Sequence, residues 1–298
     1  MIIETNKLTK YYGKARGVID LNLGVEQGEV FGFLGPNGAG KSTTIRVLMD
    51  FIRPTSGHAR VLGLDSHRDA LEIHRRVGIL PGELALYPKL TGRQMLEYLG
   101  ELRGGVDWGY VDQLAERLDS DLSRQIKNYS SGNKQKIGLI QAFMHRPELL
   151  ILDEPTSGLD PLIQQEFYAM VKEAKEAGQT IFLSSHILPE VERVCDRVGI
   201  IREGRLVTVE TIPAIKSKAL RHLEIVFDGP APAHEFERLP GVRDVTARNG
   251  HLRCTVVGTL DDVVKVAAQH TVVNLISEEP NLEDVFLTFY GREGNHAQ

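Results

Sequence analysis

Residues 35–42 read Gly35-Pro36-Asn37-Gly38-Ala39-Gly40-Lys41-Ser42, which is a complete GxxxxGK(S/T) pattern. An apolar run at 30–34 before the pattern is typical of a buried strand, and the spacing at 43–49 after it is typical of a helix. Glycines allow backbone conformations that other residues avoid, so consecutive N–H groups can turn inward and bind phosphate oxygens at the positive end of the helix. The stretch therefore predicts a nucleoside triphosphate as ligand, and its context disfavours the alternative of a chance glycine-rich turn.

This loop supplies most of the predicted contacts to the nucleotide. Lys41 is expected to bridge the β and γ phosphates, and the hydroxyl of Ser42 is expected to bind Mg²⁺. The residues predicted to contact the nucleotide here are Gly35, Pro36, Asn37, Gly38, Ala39, Gly40, Lys41, Ser42 and Thr43.

A second apolar run, residues 149–152, ends in the two carboxylates Asp153 and Glu154. A continuous apolar run is typical of a parallel strand that is covered on both faces, and ligands bind at the carboxyl ends of such strands. Asp153 is expected to support the Mg²⁺ shell, and Glu154 is the candidate general base for water attacking the γ phosphate in line. The alternative, two solvated loop acids, is disfavoured by the phosphate loop.

Length and composition limit the remaining possibilities. A chain of 298 residues favours one large domain and a smaller one, and 42% apolar with 25% charged residues is ordinary for a soluble globular protein. The net charge of -5 gives no reason to expect nucleic acid as a partner. Cys195 and Cys254 lack CxxC spacing, which favours a reducing compartment over a disulfide framework or zinc site. We expect neither secretion nor a membrane span.

Residues 129–136 read Tyr-Ser-Ser-Gly-Asn-Lys-Gln-Lys and stand ahead of the Asp-Glu strand. In this position they resemble the signature of the ATP-binding cassette (ABC) transporter family, which is usually LSGGQ. Residues 157–160 resemble the family's D-loop, His186 resembles its switch histidine, and Tyr12 resembles the aromatic residue that stacks on adenine. In isolation, His186 would favour a structural role and Tyr12 a packing role. The motifs follow the family's order, and the resemblance covers about residues 1–225.

The resemblance implies an α/β phosphate-loop ATPase with ATP and Mg²⁺ as ligands. The signature is expected to form a second phosphate cradle that acts on the nucleotide of an opposing subunit, and it comprises Ser130, Ser131, Gly132 and Asn133. His186 is expected to sense the γ phosphate, and Asp160 to connect the two sites. The implied partners are a second copy or a similar ATPase, and a separate transmembrane permease. The implied location is the cytoplasmic face of the cell membrane, through that permease.

Two segments depart from the family pattern. Gly82 stands where a glutamine usually contacts Mg²⁺ and communicates with the permease, and Glu83 is a candidate replacement as metal ligand. In the signature, Tyr129, Ser131 and Asn133 replace the common leucine, first glycine and glutamine. The departures are expected to alter the fine geometry of the segment more than its phosphate binding.

The apolar spacing also predicts a division into domains. Residues 1–220 are expected to form the ATPase domain, with a helical subdomain at about 88–145 that begins near a Thr91 cap. Residues 221–298 are expected to form a small α+β accessory domain. Its strands are predicted around 222–228, 242–247, 252–257 and 271–276, with helices near 233–238 and 260–269. The order βαββαβ predicts a ferredoxin-like unit.

A last helix is predicted over residues 280–290. Its ending is similar to that of cassette ATPases from drug and antibiotic exporters, which favours export of drug-like or amphipathic substrates. A soluble ABC ATPase acting in translation or DNA maintenance is the alternative function. A regulatory subunit with little turnover is a third possibility, which Glu154 disfavours.

Overall fold

The computed structural model describes residues 1–218 and 220–278, apart from the side chains of residues 216–220. The chain divides into two units, Met1–Val209 and the residues from Glu210 onward. The predicted boundary lay between residues 220 and 221. The structural division falls earlier because it assigns to the second unit a short helix that precedes the first strand of the second unit's own sheet.

The first unit alternates strands and helices along most of its length. Its strands are β1 (Ile3–Tyr12), β2 (Ala15–Leu21), β3 (Gly24–Val25), β4 (Val30–Leu34), β5 (Ser56–Val61), β6 (Leu64–Asp65), β7 (Val77–Leu80), β8 (Leu149–Asp153), β9 (Thr180–Ser185), β10 (Arg197–Arg202) and β11 (Arg205–Thr211), of which the last two residues fall beyond the Val209 boundary. Its helices are α1 (Lys41–Leu48), α2 (Ala70–Arg76), α3 (Gly92–Leu102), α4 (Trp108–Arg117), α5 (Ser131–Phe143), α6 (Pro161–Glu176) and α7 (Leu188–Val194), with a 3₁₀ turn at Ile126–Asn128.

The sheet that positions the site has the strand order β11-β10-β4-β9-β8-β7, and β10, β4, β9, β8 and β7 pair in parallel. Every residue of β4, β8 and β9 is buried, as the apolar runs at 30–34 and 149–152 predict. The register pairs Leu34 with Ser185 and Asp153 with Ser184. The phosphate loop, Glu154 and His186 therefore leave the sheet side by side at its carboxyl edge.

A second, antiparallel sheet in this unit has the order β2-β1-β5-β6, with β3 paired to β1. The sequence motifs did not predict it. It contributes one predicted site residue, because β1 ends at Tyr12, just before the turn into β2.

The predicted helical subdomain at 88–145 contains α3, α4, the 3₁₀ turn and α5. Thr91 caps α3 as predicted: its hydroxyl accepts from the Gln94 N–H at 3.2 Å, and its own N–H donates to the Gln94 side chain at 3.0 Å. Such a capping box satisfies two backbone donors that the helix itself leaves unpaired.

The second unit has the predicted order of elements. After α8 (Ile212–Lys218) come β12 (Leu220–Phe227), α9 (Ala233–Glu237), β13 (Val242–Arg248), β14 (His251–Val257), α10 (Asp261–Ala267) and β15 (Val272–Glu278). Neighbouring strands are antiparallel in the order β13-β14-β12-β15, which confirms the βαββαβ arrangement of a ferredoxin-like unit. The helix predicted at 280–290 lies outside the described residues. Within the described ranges, no helix is both long and apolar enough to cross a membrane.

Candidate active site

The phosphate loop connects β4 to α1 and depends on glycine at specific points. Gly40 caps α1 at φ 111°, and Gly38 adopts φ 77°, a left-handed region that favours glycine. At Gly35 the reason is space, because a Cβ there would lie 2.3 Å from the carbonyl oxygen of Ile201. The loop thus reaches the first turn of α1 in a conformation that favours glycine at these positions, with Ser42 and Thr43 in that turn.

Lys41 is a buried cation at the start of α1, with 5% of its surface exposed. Its Nζ donates to the carbonyl oxygens of Gly35 at 2.6 Å and Pro36 at 3.3 Å, and it lies 3.1 Å from Glu154 Oε1. A buried charge requires such partners, because otherwise its desolvation is costly.

Glu154 connects Lys41 to His186. Its second carboxylate oxygen, Oε2, accepts from Nδ1 of His186 at 2.7 Å, while Oε1 faces Lys41. The structure therefore brings the three predicted catalytic side chains into one cluster, in which the carboxylate is oriented by a cation on one side and an imidazole on the other.

The backbone at Glu154 is strained and well supported. Its φ of 50° lies in the left-handed region, which is uncommon for a residue with a side chain. The Glu154 N–H donates to the carbonyl and hydroxyl oxygens of Ser184, each at 3.2 Å. The side-chain amide of Gln135 donates to the carbonyl oxygens of Glu154 at 3.1 Å and Pro155 at 3.0 Å. Gln135 stands in the quoted signature stretch, but its sequence position alone did not indicate this contact.

Asp153 is the best-placed candidate metal ligand. It is 3% exposed at the end of β8, and its Oδ1 accepts from the hydroxyl of Ser184. Its carboxylate and the Ser42 hydroxyl are the hard oxygen donors that Mg²⁺ prefers. A Cβ at Gly82 would lie 2.8 Å from Asp153 Oδ2, so the carboxylate occupies the space that a longer side chain at this position would need.

The structure gives Glu83 a different neighbour. Its side chain is 91% exposed and lies 3.9 Å from the guanidinium of Arg46. Glu83 and Asp153 line the same cavity of about 380 Å³, but the Glu83 carboxylate is paired with a cation. Its role as a metal ligand stays a prediction.

Tyr12 lies beside the phosphate loop. Its hydroxyl is 3.4 Å from the Thr43 hydroxyl, and its ring, with the residue 44% exposed, lies 5.4 Å from the Lys10 ammonium. An exposed aromatic face next to a phosphate-binding turn is suited to stack on a nucleotide base, as the resemblance implies.

The signature segment begins α5. Ser130 is the N-cap and its hydroxyl accepts from the Asn133 N–H at 3.2 Å, while Ser130 and Ser131 are exposed. A Cβ at Gly132 would lie 2.5 Å from the Gly158 carbonyl oxygen, so the segment packs closely on the D-loop-like turn of its own chain.

Asp160 has a structural role within the chain. Its carboxylate accepts from the N–H groups of Leu162 and Ile163, both at 3.1 Å, and so caps α6 ahead of Pro161. Its expected role in connecting two sites stays a prediction.

Glu190 is a buried acid that sequence reasoning missed. It is 3% exposed in the first turn of α7, and its carboxylate accepts from the hydroxyl of Ser185, which itself accepts from the Ile187 N–H at 3.0 Å. Ser185 and Ile187 flank His186, so Glu190 supports the turn that carries it. Burial raises the pKa of Glu190, although the hydrogen bond from the Ser185 hydroxyl opposes the rise. A lone glutamate in a helical pattern gave no signal of this burial.

Comparison with known proteins identifies the family. A family model described as ABC transporter matches residues 18–157. The chain is 36% identical to the bacitracin transport ATP-binding protein of Bacillus licheniformis, over 97% of this chain and 97% of that protein. The chain belongs to the ABC transporter family. This ABC protein is also 34% identical to the linearmycin resistance ATP-binding protein of Bacillus subtilis (strain 168), over 98% and 99% of the two chains.

Solved structures agree with the ABC assignment. The ATP-binding subunit of an ABC transporter matches at 30% identity with a TM-score of 0.65, over 72% of this chain and 92% of that one. A dimeric ATP-binding cassette in a post-hydrolysis state with ADP and Pi matches at 20% identity with a TM-score of 0.62, which supports the fold. The predicted family, fold class and ATPase activity are confirmed, and the alternative in translation or DNA maintenance is not favoured.

Replacing Glu190 with glutamine should change how stability depends on pH. A carboxyl whose pKa is raised by folding binds its proton more tightly in the native state, so its favourable contribution is complete below pH 4.5 and is lost as the pH rises through the folded pKa. Urea unfolding at a series of pH values from 4.5 upward should show Glu190→Gln gaining stability relative to wild type as the pH increases. The exposed Glu116→Gln should show no such trend. A difference that stays constant with pH would contradict the assignment.

Proposed function

We propose that this ABC protein hydrolyses ATP through the Lys41, Glu154 and His186 cluster and powers a separate permease that exports amphipathic or drug-like molecules. The observation that carries the proposal is the carboxylate of Glu154, which is held between the Lys41 ammonium at 3.1 Å and the His186 ring at 2.7 Å. Such a group at the carboxyl edge of a parallel sheet, beside a phosphate loop, is suited to orient a water molecule toward a terminal phosphate.

Each member of the cluster has a distinct task in the proposed reaction. Lys41 binds the β and γ phosphates and stabilises their negative charge, and the loop N–H groups do the same. Glu154 orients the attacking water and accepts its proton, while His186 contacts the γ phosphate. Asp153 and Ser42 would hold Mg²⁺, which supplies further neutralisation of phosphate charge when bound.

The proposed working unit is a nucleotide-sandwich dimer with a second copy or a similar ATPase. What supports it is the exposure of Ser130 and Ser131 at the N-terminus of α5, an end of a helix that favours anions. Each triphosphate would then contact both subunits, and loss of the γ phosphate would remove the bridging contacts and allow the dimer to open.

The permease is proposed to bind a groove of about 770 Å³ on the helical subdomain. Tyr87 and Tyr98 line it, are 55% and 44% exposed, and pack edge to face with ring centroids 5.9 Å apart. Exposed aromatic rings in a groove are typical of an interaction surface. Residues 87–90 line the groove, and residues 81–86, which come directly before them, line the cavity beside Asp153. One continuous segment, 81–90, therefore lines both regions.

Export and membrane attachment rest on the relatives. One relative is named for transport of bacitracin and the other for resistance to linearmycin, and the matches extend over nearly the whole of each chain. A location at the cytoplasmic face of the membrane, held there by the permease, follows from this proposal.

Lys41→Ala should weaken ATP binding by about 100-fold, because it removes charge-assisted hydrogen bonds that contribute about 1.5–3 kcal/mol each. Equilibrium binding of a fluorescent ATP analogue measures the change. Lys172→Ala, which removes a 77% exposed ammonium from α6, is the matched control and should bind as wild type does. An unchanged dissociation constant for Lys41→Ala would exclude Lys41 from the binding site.

Glu154→Gln should lower kcat by about 10²–10⁴-fold, the usual contribution of a general base, while ATP still binds. Because hydrolysis normally opens the dimer, the variant should accumulate as an ATP-bound dimer in size-exclusion chromatography with MgATP. Glu176→Gln, an exposed change on α6, should behave as wild type. Normal turnover in Glu154→Gln would refute the assignment of the base.

Tyr98→Glu should release the protein from the membrane fraction of its native cells, because a charge in the groove opposes burial against a partner. Its ATPase activity in isolation should stay within about twofold of wild type, since surface changes rarely alter the fold. Leu71→Glu, at an 80% exposed position on α2, is the control. Retention of Tyr98→Glu on membranes at the wild-type level would exclude the groove.

A further inference from the structure

We propose that Gln135 is a positioning residue for Glu154 and links the turn at residues 154–158, here called the catalytic turn, to the signature segment of the same chain. The inference rests on the proposed function, in which Glu154 is the base. It adds a residue that acts through Glu154 and has no predicted contact with nucleotide or metal.

The geometry at Gln135 uses both hydrogens of one amide group. Nε2 donates to the Glu154 carbonyl oxygen at 3.1 Å and to the Pro155 carbonyl oxygen at 3.0 Å. An amide nitrogen carries two donors, so both donors of this side chain are used by two successive carbonyls of the catalytic turn.

The turn needs such support because of its backbone conformation. A residue other than glycine in the left-handed region raises the free energy of the folded chain by about 1–2 kcal/mol. Glu154, with a φ of 50°, lies in that region. Ser184 on β9 holds the N–H of Glu154, and Gln135 on α5 holds its carbonyl oxygen. The two contacts together restrict the peptide groups on either side of Glu154 and therefore the direction of its carboxylate.

Gln135 also lies within the first turns of the helix that presents the signature. Ser130 caps α5, and Gly132 packs against the Gly158 carbonyl oxygen with no room for a Cβ. The N-terminus of α5 and the catalytic turn thus meet at two places, and a shift of α5 moves both. If α5 contacts the nucleotide of the opposing subunit, that contact orients the base acting on the nucleotide of its own chain.

The test is Gln135→Met, which keeps the length of the side chain and removes both donors. We expect kcat to fall by about 10- to 100-fold, as for a small misplacement of a catalytic group, with the KM for ATP within about twofold. Under MgATP the variant should accumulate as an ATP-bound dimer. That accumulation separates a misdirected base from a general loss of structure, which would lower dimer formation instead.

Gln179→Met is the matched control. It stands just before β9, at the edge of the sheet opposite to the site, and its amide donates to the Pro147 carbonyl oxygen. It should retain wild-type kcat. Gln135→Lys, which restores N–H donors at the same position, should recover part of the lost kcat. If Gln135→Met does not fold, the same measurements are made on Gln135→Lys, and its kcat should lie below that of wild type.

The outcomes distinguish this inference from the proposed function. If wild type hydrolyses ATP and Glu154→Gln traps a dimer, but Gln135→Met turns over normally, the positioning role is wrong and the proposed function stands. Loss of the dimer in folded Gln135→Met would also overturn it, because α5 would then act only on the partner's nucleotide. If wild type lacks ATPase activity, the proposed function itself fails.

Discussion

The buried charge of Lys41 is the constraint on which the site depends. An ammonium that is 5% exposed needs acceptors on several sides, and it finds them in the carbonyls of Gly35 and Pro36 and in the carboxylate of Glu154. These groups come from the ends of β4 and β8. The charge thereby connects two strand ends at the edge of the sheet, and the register of β9 between them brings His186 to the same place.

The backbone conformation that places Glu154 at the end of its strand is unfavourable, and contacts from the surrounding elements stabilise it. Glu154 leaves β8 in a left-handed conformation, and the contacts that stabilise it come from elements far away in sequence. Ser184 shows this most directly, since its hydroxyl donates to Asp153 while also accepting from the Glu154 N–H. One side chain on β9 therefore orients both acids, which explains how two adjacent carboxylates can face different tasks.

The sequence predicted the parts of this arrangement that are local. The phosphate loop, the acidic strand end and the Thr91 cap each depend on neighbouring residues, and the structure has the corresponding elements. The antiparallel sheet of the first unit was not predicted. One reason is that buried polar residues such as Thr5 and Thr9 interrupt its apolar alternation by bonding to the chain across the hairpin. The contacts of Gln135 and Glu190 depend on packing between separate elements, and no single-sequence pattern encodes such packing.

The residues that depart from the usual signature differ in where they lie. One packs inside the helical subdomain, and the others stand at the start of α5. Tyr129, which stands where leucine is common, is 7% exposed, and its hydroxyl donates to the Asp121 carbonyl oxygen at 2.5 Å. A Cβ at Gly92 would lie 2.5 Å from that hydroxyl, so glycine at the start of α3 makes room for the larger ring. This change is accommodated inside the helical subdomain. Ser131 is exposed and Asn133 half-buried at the N-terminal end of α5, so any effect of the departures on the nucleotide of the proposed second subunit has to come from them.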